Sequence, residues 1–214
     1  MQLTFSASVF AIIILILSVI VHEVAHGYAA NALGDPTARL AGRLTLNPWP
    51  HIDIIGSVLI PLFLIISQSG FLFGWAKPVP YNPYNLKNQR WGEMLVAVAG
   101  PLSNILIAVL FAIIARLTIA MALPVAATSF AKLVVYVNIF LGLFNLLPIP
   151  PFDGYGVIAG ALPYRYATSV RAFEQRVRSF GPIGLLATLF IFVTILSGPF
   201  YELGIFVFRL LVGG

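Results

Sequence analysis

The sequence contains no cysteine and few charged residues. Of its 214 residues, 12 are Lys or Arg, seven are Asp or Glu and three are His. Without cysteine the chain can form no disulfide, offer no thiolate to a metal and use no thiol as a nucleophile. Any bound metal must therefore be held by His, Asp or Glu side chains, of which there are few.

Charged residues make up 9% of the chain and hydrophobic residues 60%. A soluble domain of this size needs more charge to cover its surface, so the composition predicts a membrane protein that folds in the lipid bilayer. We expect one membrane-embedded domain over residues 1–214. The net charge of +5 does not indicate nucleic acid as a partner, because the cations are scattered between apolar stretches and form no patch. The sequence makes no prediction of the oligomeric state.

Apolar runs separated by polar, proline-containing stretches predict an all-α, polytopic membrane helix bundle of about four to six membrane segments. The long helical candidates cover residues 5–33, 93–122, 131–147 and 182–212. The last candidate forms either one span or a hairpin, because Gly198 and Pro199 interrupt it.

Three further stretches lie between these candidates. Residues 35–53 are mixed and contain proline, which favours an irregular loop or short β-strands after the first helix. Residues 54–69 are apolar, but they offer only about 24 Å of helix against a hydrocarbon core of about 30 Å. Because Pro61 also favours a bend, we expect a re-entrant or partial span there. Residues 164–180 carry four Arg and predict an interfacial helix.

The motif HEVAH occupies residues 22–26, within the first predicted helix. Residues i and i+4 of an α-helix share one face, so the imidazoles of His22 and His26 can reach one metal ion. Glu23 lies beside them, placed to take a proton from a water that zinc activates. Ionisable groups in a membrane helix are costly unless partnered, by roughly 2–3 kcal/mol or more for the acid. That cost favours a metal site over a chance match.

Zinc needs a third protein ligand, and the sequence offers few. The acids in or beside the apolar segments are Glu93, Asp153 and Glu202, and His51 is the remaining imidazole. Asp153 follows a proline-rich break at 148–151, and irregular backbone at membrane depth is tolerated where it is buried in protein or lines a polar cavity. This context favours Asp153, with His51 as the alternative.

Three motifs in this order resemble the site-2 protease family of zinc intramembrane proteases. They are HEVAH, AGPLSN at 99–104 and NLLPIPPFDG at 145–154. The stretch GWAKPVP at 74–80 is similar to the compact branch of that family, which lacks an inserted regulatory domain. The resemblance covers roughly residues 9–160.

The resemblance implies a zinc metalloendopeptidase with one Zn²⁺ per chain. Its ligands would be His22, His26 and Asp153, and Glu23 would be the general base. The reaction it implies is hydrolysis of peptide bonds in or near the transmembrane segments of membrane-protein substrates. A metal-binding membrane scaffold or transporter without proteolytic activity is the alternative function.

Two asparagines, Asn104 and Asn145, are placed near the site by the same resemblance. Either could donate a hydrogen bond to the developing oxyanion, an interaction worth about 2–4 kcal/mol in the transition state. A hydrogen bond that packs two membrane helices together is the alternative for Asn104.

The distribution of cations predicts an orientation in the membrane. If residues 54–69 do not cross, Lys132 and Arg116 lie on one face, and the other face carries Arg39, Arg43, Lys77, Lys87, Arg90, Arg165, Arg171, Arg176 and Arg178. Cytoplasmic loops are enriched in Lys and Arg. We therefore expect a multi-pass protein of the cell membrane whose active site lies toward the cytoplasmic side.

Overall fold

A computed structural model describes residues 5–67 and 75–213. Residues 68–69 of the predicted re-entrant segment and Gly74 of the GWAKPVP stretch lie outside the described residues. The α-helices are α1 Phe5–Ala32, α2 Thr37–Leu40, α3 Ile60–Ile66, α4 Gly92–Ala120, α5 Val125–Asn145, α6 Asp153–Ala161, α7 Tyr164–Ser179, α8 Pro182–Ile191 and α9 Ser197–Val212. The described part of the chain contains no strand, so the predicted all-α class is confirmed. The loop after α1 is irregular apart from α2 and a short 3₁₀ turn, Trp49–His51.

Four helical segments are long and apolar enough to cross a membrane. They are Val9–Ala32, Gly92–Ala120, Val125–Asn145 and Ile183–Val212. The last is one helix rather than a hairpin, since a π-helical turn at Phe192–Leu196 joins α8 to α9. Pro199, which has no backbone N–H to donate, lies just after this π-helical turn, where the helical hydrogen-bond pattern changes. The chain is therefore a multi-pass membrane protein.

The short apolar segment Ile54–Ile66 is helical but brief. A π-helical stretch, Ile54–Leu59, runs directly into α3. Asp53 caps its start by accepting a hydrogen bond of 2.8 Å from the N–H of Gly56. At 1.5 Å per residue the segment is about 20 Å long, less than a hydrocarbon core of about 30 Å.

Helix α4 lies at the centre of the bundle and packs against α1, α5, α6 and α9. Its buried face is rich in small residues, including Gly100, Ala108, Ala112 and Ala115. Small residues allow membrane helices to approach closely, and this approach brings the polar groups of α4 to α1.

The segments at the two ends of the 54–66 helix are joined by hydrogen bonds around Asp35. Its buried carboxylate accepts from the backbone N–H of Thr37 and of Asn82, and from the side-chain amide of Asn85. Burial raises the pKa of Asp35, but these hydrogen bonds outweigh that effect and hold the pKa below its usual value. The N–H of Lys87 also donates to the carbonyl of Leu33 at 2.8 Å. The end of α1 is thus fixed against the segment that leads into α4.

Candidate metal centre

Three side chains converge where α1 meets α6. Nε2 of His22 lies 3.0 Å from Oδ2 of Asp153, and Nε2 of His26 lies 3.3 Å from the same oxygen. The two imidazole nitrogens are 3.1 Å apart. Among the described residues, this is the one group of three or more His, Asp or Glu side chains close enough to hold a metal ion.

Local structure explains how the three residues meet. His22 and His26 are one helical turn apart on α1, and Asp153 is the first residue of α6, after a non-helical turn that follows α5. Gly154 makes the tight turn possible, since a Cβ there would lie 2.6 Å from the carbonyl oxygen of Leu147. A residue with a side chain at position 154 would push Asp153 away from α1.

The donor set fits zinc. Ligand atoms of tetrahedral zinc, at about 2.0–2.1 Å from the ion, lie about 3.3 Å from one another, and the three separations here are 3.0, 3.1 and 3.3 Å. Oδ2 of Asp153 is buried and has no hydrogen-bond partner. Two imidazoles with one carboxylate favour zinc over magnesium or calcium, which prefer oxygen ligands throughout.

The space beside these donors exists because residue 100 of α4 is glycine. A Cβ on Gly100 would lie 2.6 Å from Nε2 of His22 and closer still to Nε2 of His26. The backbone of α4 therefore approaches the two ligand nitrogens directly, and no side chain fills the space between them.

Each histidine is oriented by a partner on α4. Nδ1 of His26 donates to the carbonyl of Val96 at 2.7 Å, and Nδ1 of His22 donates to Oδ1 of Asn104 at 2.7 Å. Partners of this kind fix the tautomer of a ligand histidine and leave Nε2 free for the metal. This contact places Asn104 next to one of the candidate ligands. The role of Asn104 in catalysis stays a prediction.

Asn145 is the last residue of α5, and its side-chain amide donates to the carbonyl of Leu141 at 3.0 Å. This bond lies within its own helix, so it ties the amide to α5 rather than to the ligand cluster. The predicted role of Asn145 as an oxyanion donor therefore stays a prediction.

Glu23 is held by a loop that crosses α1 beside the ligands. Its Oε2 accepts a hydrogen bond of 2.8 Å from the backbone N–H of Val79. Gly27 allows this approach, since a Cβ there would lie 2.8 Å from a methyl group of Val79. The loop, residues 75–80, is called the strap below. It is fixed by hydrogen bonds that its backbone makes with His51, Gly56, Ser57 and Arg43.

The other candidates for the third ligand have different environments. The ring of His51 is fully buried, and its Nε2 lies 2.9 Å from the carbonyl oxygen of Thr45. Glu93 pairs with Arg171 across the α4–α7 contact. Neither of them, nor Glu202 on α9, is part of the ligand group, whereas Asp153 is.

Two buried residues near the site were not predicted from the sequence. Asn138 on α5 is fully buried and Ser18 on α1 is 5% exposed, and both belong to the hydrogen-bond network around Asn104. The available signal was the position of Asn138, a polar residue in the middle of an apolar helix, where an unpaired amide is costly.

Comparison with known proteins identifies relatives over two thirds or more of the chain. The protein named "Putative zinc metalloprotease YwhC" of Bacillus subtilis is 38% identical over 191 residues, which cover 86% of this chain and 80% of the relative. "Putative zinc metalloprotease Rip2" of Mycolicibacterium smegmatis is 30% identical over 145 residues, 67% of this chain and 53% of the relative. Rip2 of Mycobacterium tuberculosis is 29% identical over 156 residues, 71% of this chain and 58% of the relative.

No family model matches the chain, and no solved structure matches it. The match to YwhC extends over most of both proteins. The name of that relative agrees with the donor set of this chain, which fits zinc. The chain belongs to the zinc metalloprotease family that YwhC represents.

Proposed function

We propose that this protein is an intramembrane zinc metalloprotease of the site-2 type that cleaves peptide bonds in or near the transmembrane segments of membrane proteins. One zinc per chain would be held by His22, His26 and Asp153. The observation that carries the proposal is the position of this group. His22 lies 17 residues after the start of α1, about 26 Å along a helix that can span the membrane.

The zinc, when bound, supplies a Lewis acid that polarises a carbonyl and lowers the pKa of a water to about 7. Glu23 takes the proton of the attacking water and returns it to the leaving nitrogen. The Val79 N–H engages Oε2 of Glu23, which leaves Oε1 to carry the proton. Asn104 holds His22 so that its Nε2 faces the metal position.

The substrate of such a site must be locally unwound. A helical segment keeps its carbonyl groups in intrahelical hydrogen bonds, where water cannot attack them. The proposed substrates are therefore membrane proteins whose spanning helix contains residues with low helix propensity.

A scaffold or transporter that binds metal without proteolysis is the competing function. Holding a metal requires ligands but no general base, whereas Glu23 lies next to a ligand and accepts a hydrogen bond from the strap.

Cleavage by the purified protein tests the proposed function. The protein, reconstituted in liposomes with a single-span reporter, should cut the reporter, lose activity to a zinc chelator and regain it when zinc is restored. A protein that holds zinc but leaves a range of single-span reporters intact would favour the scaffold function.

We further propose that the site opens toward the cytoplasm and that residues 54–66 enter and leave the membrane on one face. Hydrogen bonds between Leu33 and Lys87, and between Asp35 and Asn82, support this arrangement because they join the segments before and after the short helix. The excess of cations on that face supports a cytoplasmic location.

Cysteine labelling tests the orientation in this cysteine-free chain. Trp49 and Tyr84 lie on either side of the short helix and are 80% and 88% exposed, and Val125, at the opposite end of α4, is 81% exposed. With an impermeant maleimide, Val125→Cys should react in intact cells, whereas Trp49→Cys and Tyr84→Cys should react only after the membrane is opened. Opposite behaviour at positions 49 and 84 would mean that the short helix crosses.

A further inference from the structure

A chain of polar side chains runs from the metal centre into the bundle. Ser18 on α1 is 5% exposed, and Asn104 on α4 and Asn138 on α5 are fully buried. Because each side chain comes from a different helix, the chain of hydrogen bonds depends on how α1, α4 and α5 pack. It ends at His22.

The contacts within this relay, defined as Ser18, Asn104 and Asn138, are short and continuous. The amide nitrogen of Asn104 donates to Oδ1 of Asn138 at 3.0 Å and approaches the carbonyl of Ser18 at 3.4 Å. The amide nitrogen of Asn138 donates to Oγ of Ser18 at 2.9 Å and to the carbonyl of Val134 at 3.0 Å. Both amides are thus fully engaged.

The contact between Asn138 and the carbonyl of Val134, farthest from His22, fixes which atom donates and which accepts in the relay. The carbonyl of Val134 can only accept, so the NH₂ group of Asn138 must face it and Oδ1 must face Asn104. Asn104 must then turn its own NH₂ group toward Asn138 and its Oδ1 toward His22. Nδ1 of His22 consequently carries the proton, and Nε2 presents a lone pair to the metal position.

Reversal of either amide would set two donors or two acceptors against each other in a buried site. An unsatisfied buried polar group costs about 1–3 kcal/mol, so the relay selects one tautomer of His22. His26 needs no such relay because the backbone carbonyl of Val96 accepts directly from its Nδ1.

We propose that Asn138 and Ser18 are positioning residues of the metal centre, which act through Asn104 to hold His22 in the tautomer that binds the metal. The proposal rests on the proposed function only in taking His22, His26 and Asp153 as the zinc site. It adds two residues, on α1 and α5, that touch neither metal nor substrate.

Metal binding to the full-length protein tests the relay. Asn138→Leu keeps the branched shape of the side chain but removes both its donor and its acceptor. Competition with a chelator should show zinc affinity weakened by about 10- to 100-fold, the range for outer partners of ligand histidines. The visible absorption of the Co²⁺-substituted protein should also change. Ser18→Ala, which removes one hydrogen bond, should weaken zinc by about 2- to 10-fold.

A matched control comes from the same pair of helices. Thr118 on α4 is 6% exposed, and its hydroxyl lies 2.9 Å from that of Thr128 on α5. Thr118→Val should leave zinc affinity and the Co²⁺ spectrum unchanged, although it removes a hydrogen bond between α4 and α5. Equal losses in Thr118→Val and Asn138→Leu would show a general loosening of the bundle and overturn the proposal.

Wild-type zinc affinity and Co²⁺ absorption in folded Asn138→Leu would also overturn it. If Asn138→Leu does not fold, Ser18→Ala decides by the same two measurements. Because neither measurement depends on proteolysis, the relay can be refuted while cleavage stands. A protein with the expected metal responses but no proteolysis would refute only the proposed function.

Discussion

Glu23→Gln is expected to lower cleavage by about 10²- to 10⁴-fold, the usual contribution of a general base, while zinc content and helical structure stay unchanged. Gln has nearly the same size as Glu but cannot take a proton from water. It still offers an oxygen to the N–H of Val79, which donates to Oε2 of Glu23 at 2.8 Å. The strap should therefore keep its position, so that the variant removes proton transfer without changing the structure around residue 23.

The measurement is cleavage of a single-span reporter in liposomes, with zinc determined on the same sample. Glu202→Gln makes the same chemical change at an exposed carboxylate of α9 and should cleave as fast as the wild type. If Glu23→Gln cleaved at the wild-type rate, Glu23 would not be the base and the mechanism would be wrong.

Gly100→Ala is expected to abolish zinc binding by adding one methyl group. The new carbon would lie 2.6 Å from Nε2 of His22 and closer to Nε2 of His26, well inside the contact distance of about 3.5–4.0 Å between carbon atoms. The rings must move to relieve this overlap. Because metal sites tolerate displacements of only about 0.5 Å, we expect zinc affinity to fall by more than about 100-fold and cleavage to be lost.

Zinc content and chelator competition measure this effect, and Asp153→Ala provides the expected zinc-free reference. Gly198→Ala is the matched control, since a Cβ at that position meets no atom within 4 Å. It should bind zinc normally. Within a helix, Ala stabilises the folded state by about 0.5–1 kcal/mol relative to Gly. Normal zinc affinity in Gly100→Ala would mean that the metal site is not where α1, α4 and α6 meet.

Much of the helical architecture could be predicted because its signals are local. Apolar runs long enough to span a membrane indicate helices without knowledge of the fold, and the i,i+4 spacing of His22 and His26 defines one helical face. The predicted helix at 131–147 began too late, since the helix starts at Val125. The polar residues Thr128 and Ser129 in its first turns hid that beginning.

The surroundings of the metal centre could not be predicted in this way because they depend on contacts between distant segments. The Val79 N–H reaches Glu23 across 56 residues, and Asn138 reaches Ser18 across 120. No periodicity or motif encodes such pairings. A break in an apolar segment and the family resemblance favour Asp153 as a ligand, but its distance to the histidines depends on how the helices pack.

The two histidines differ in how much sequence change their partners can tolerate. Val96 orients His26 with its carbonyl oxygen, and every amino acid has that group. Any residue small enough for this buried position can therefore replace Val96 and still accept the hydrogen bond from His26. Asn104 orients His22 with its side chain, so few substitutions preserve the contact. We therefore expect related sequences to conserve the residue that orients His22 but not the residue that orients His26. The two hydrogen bonds are nevertheless equally short.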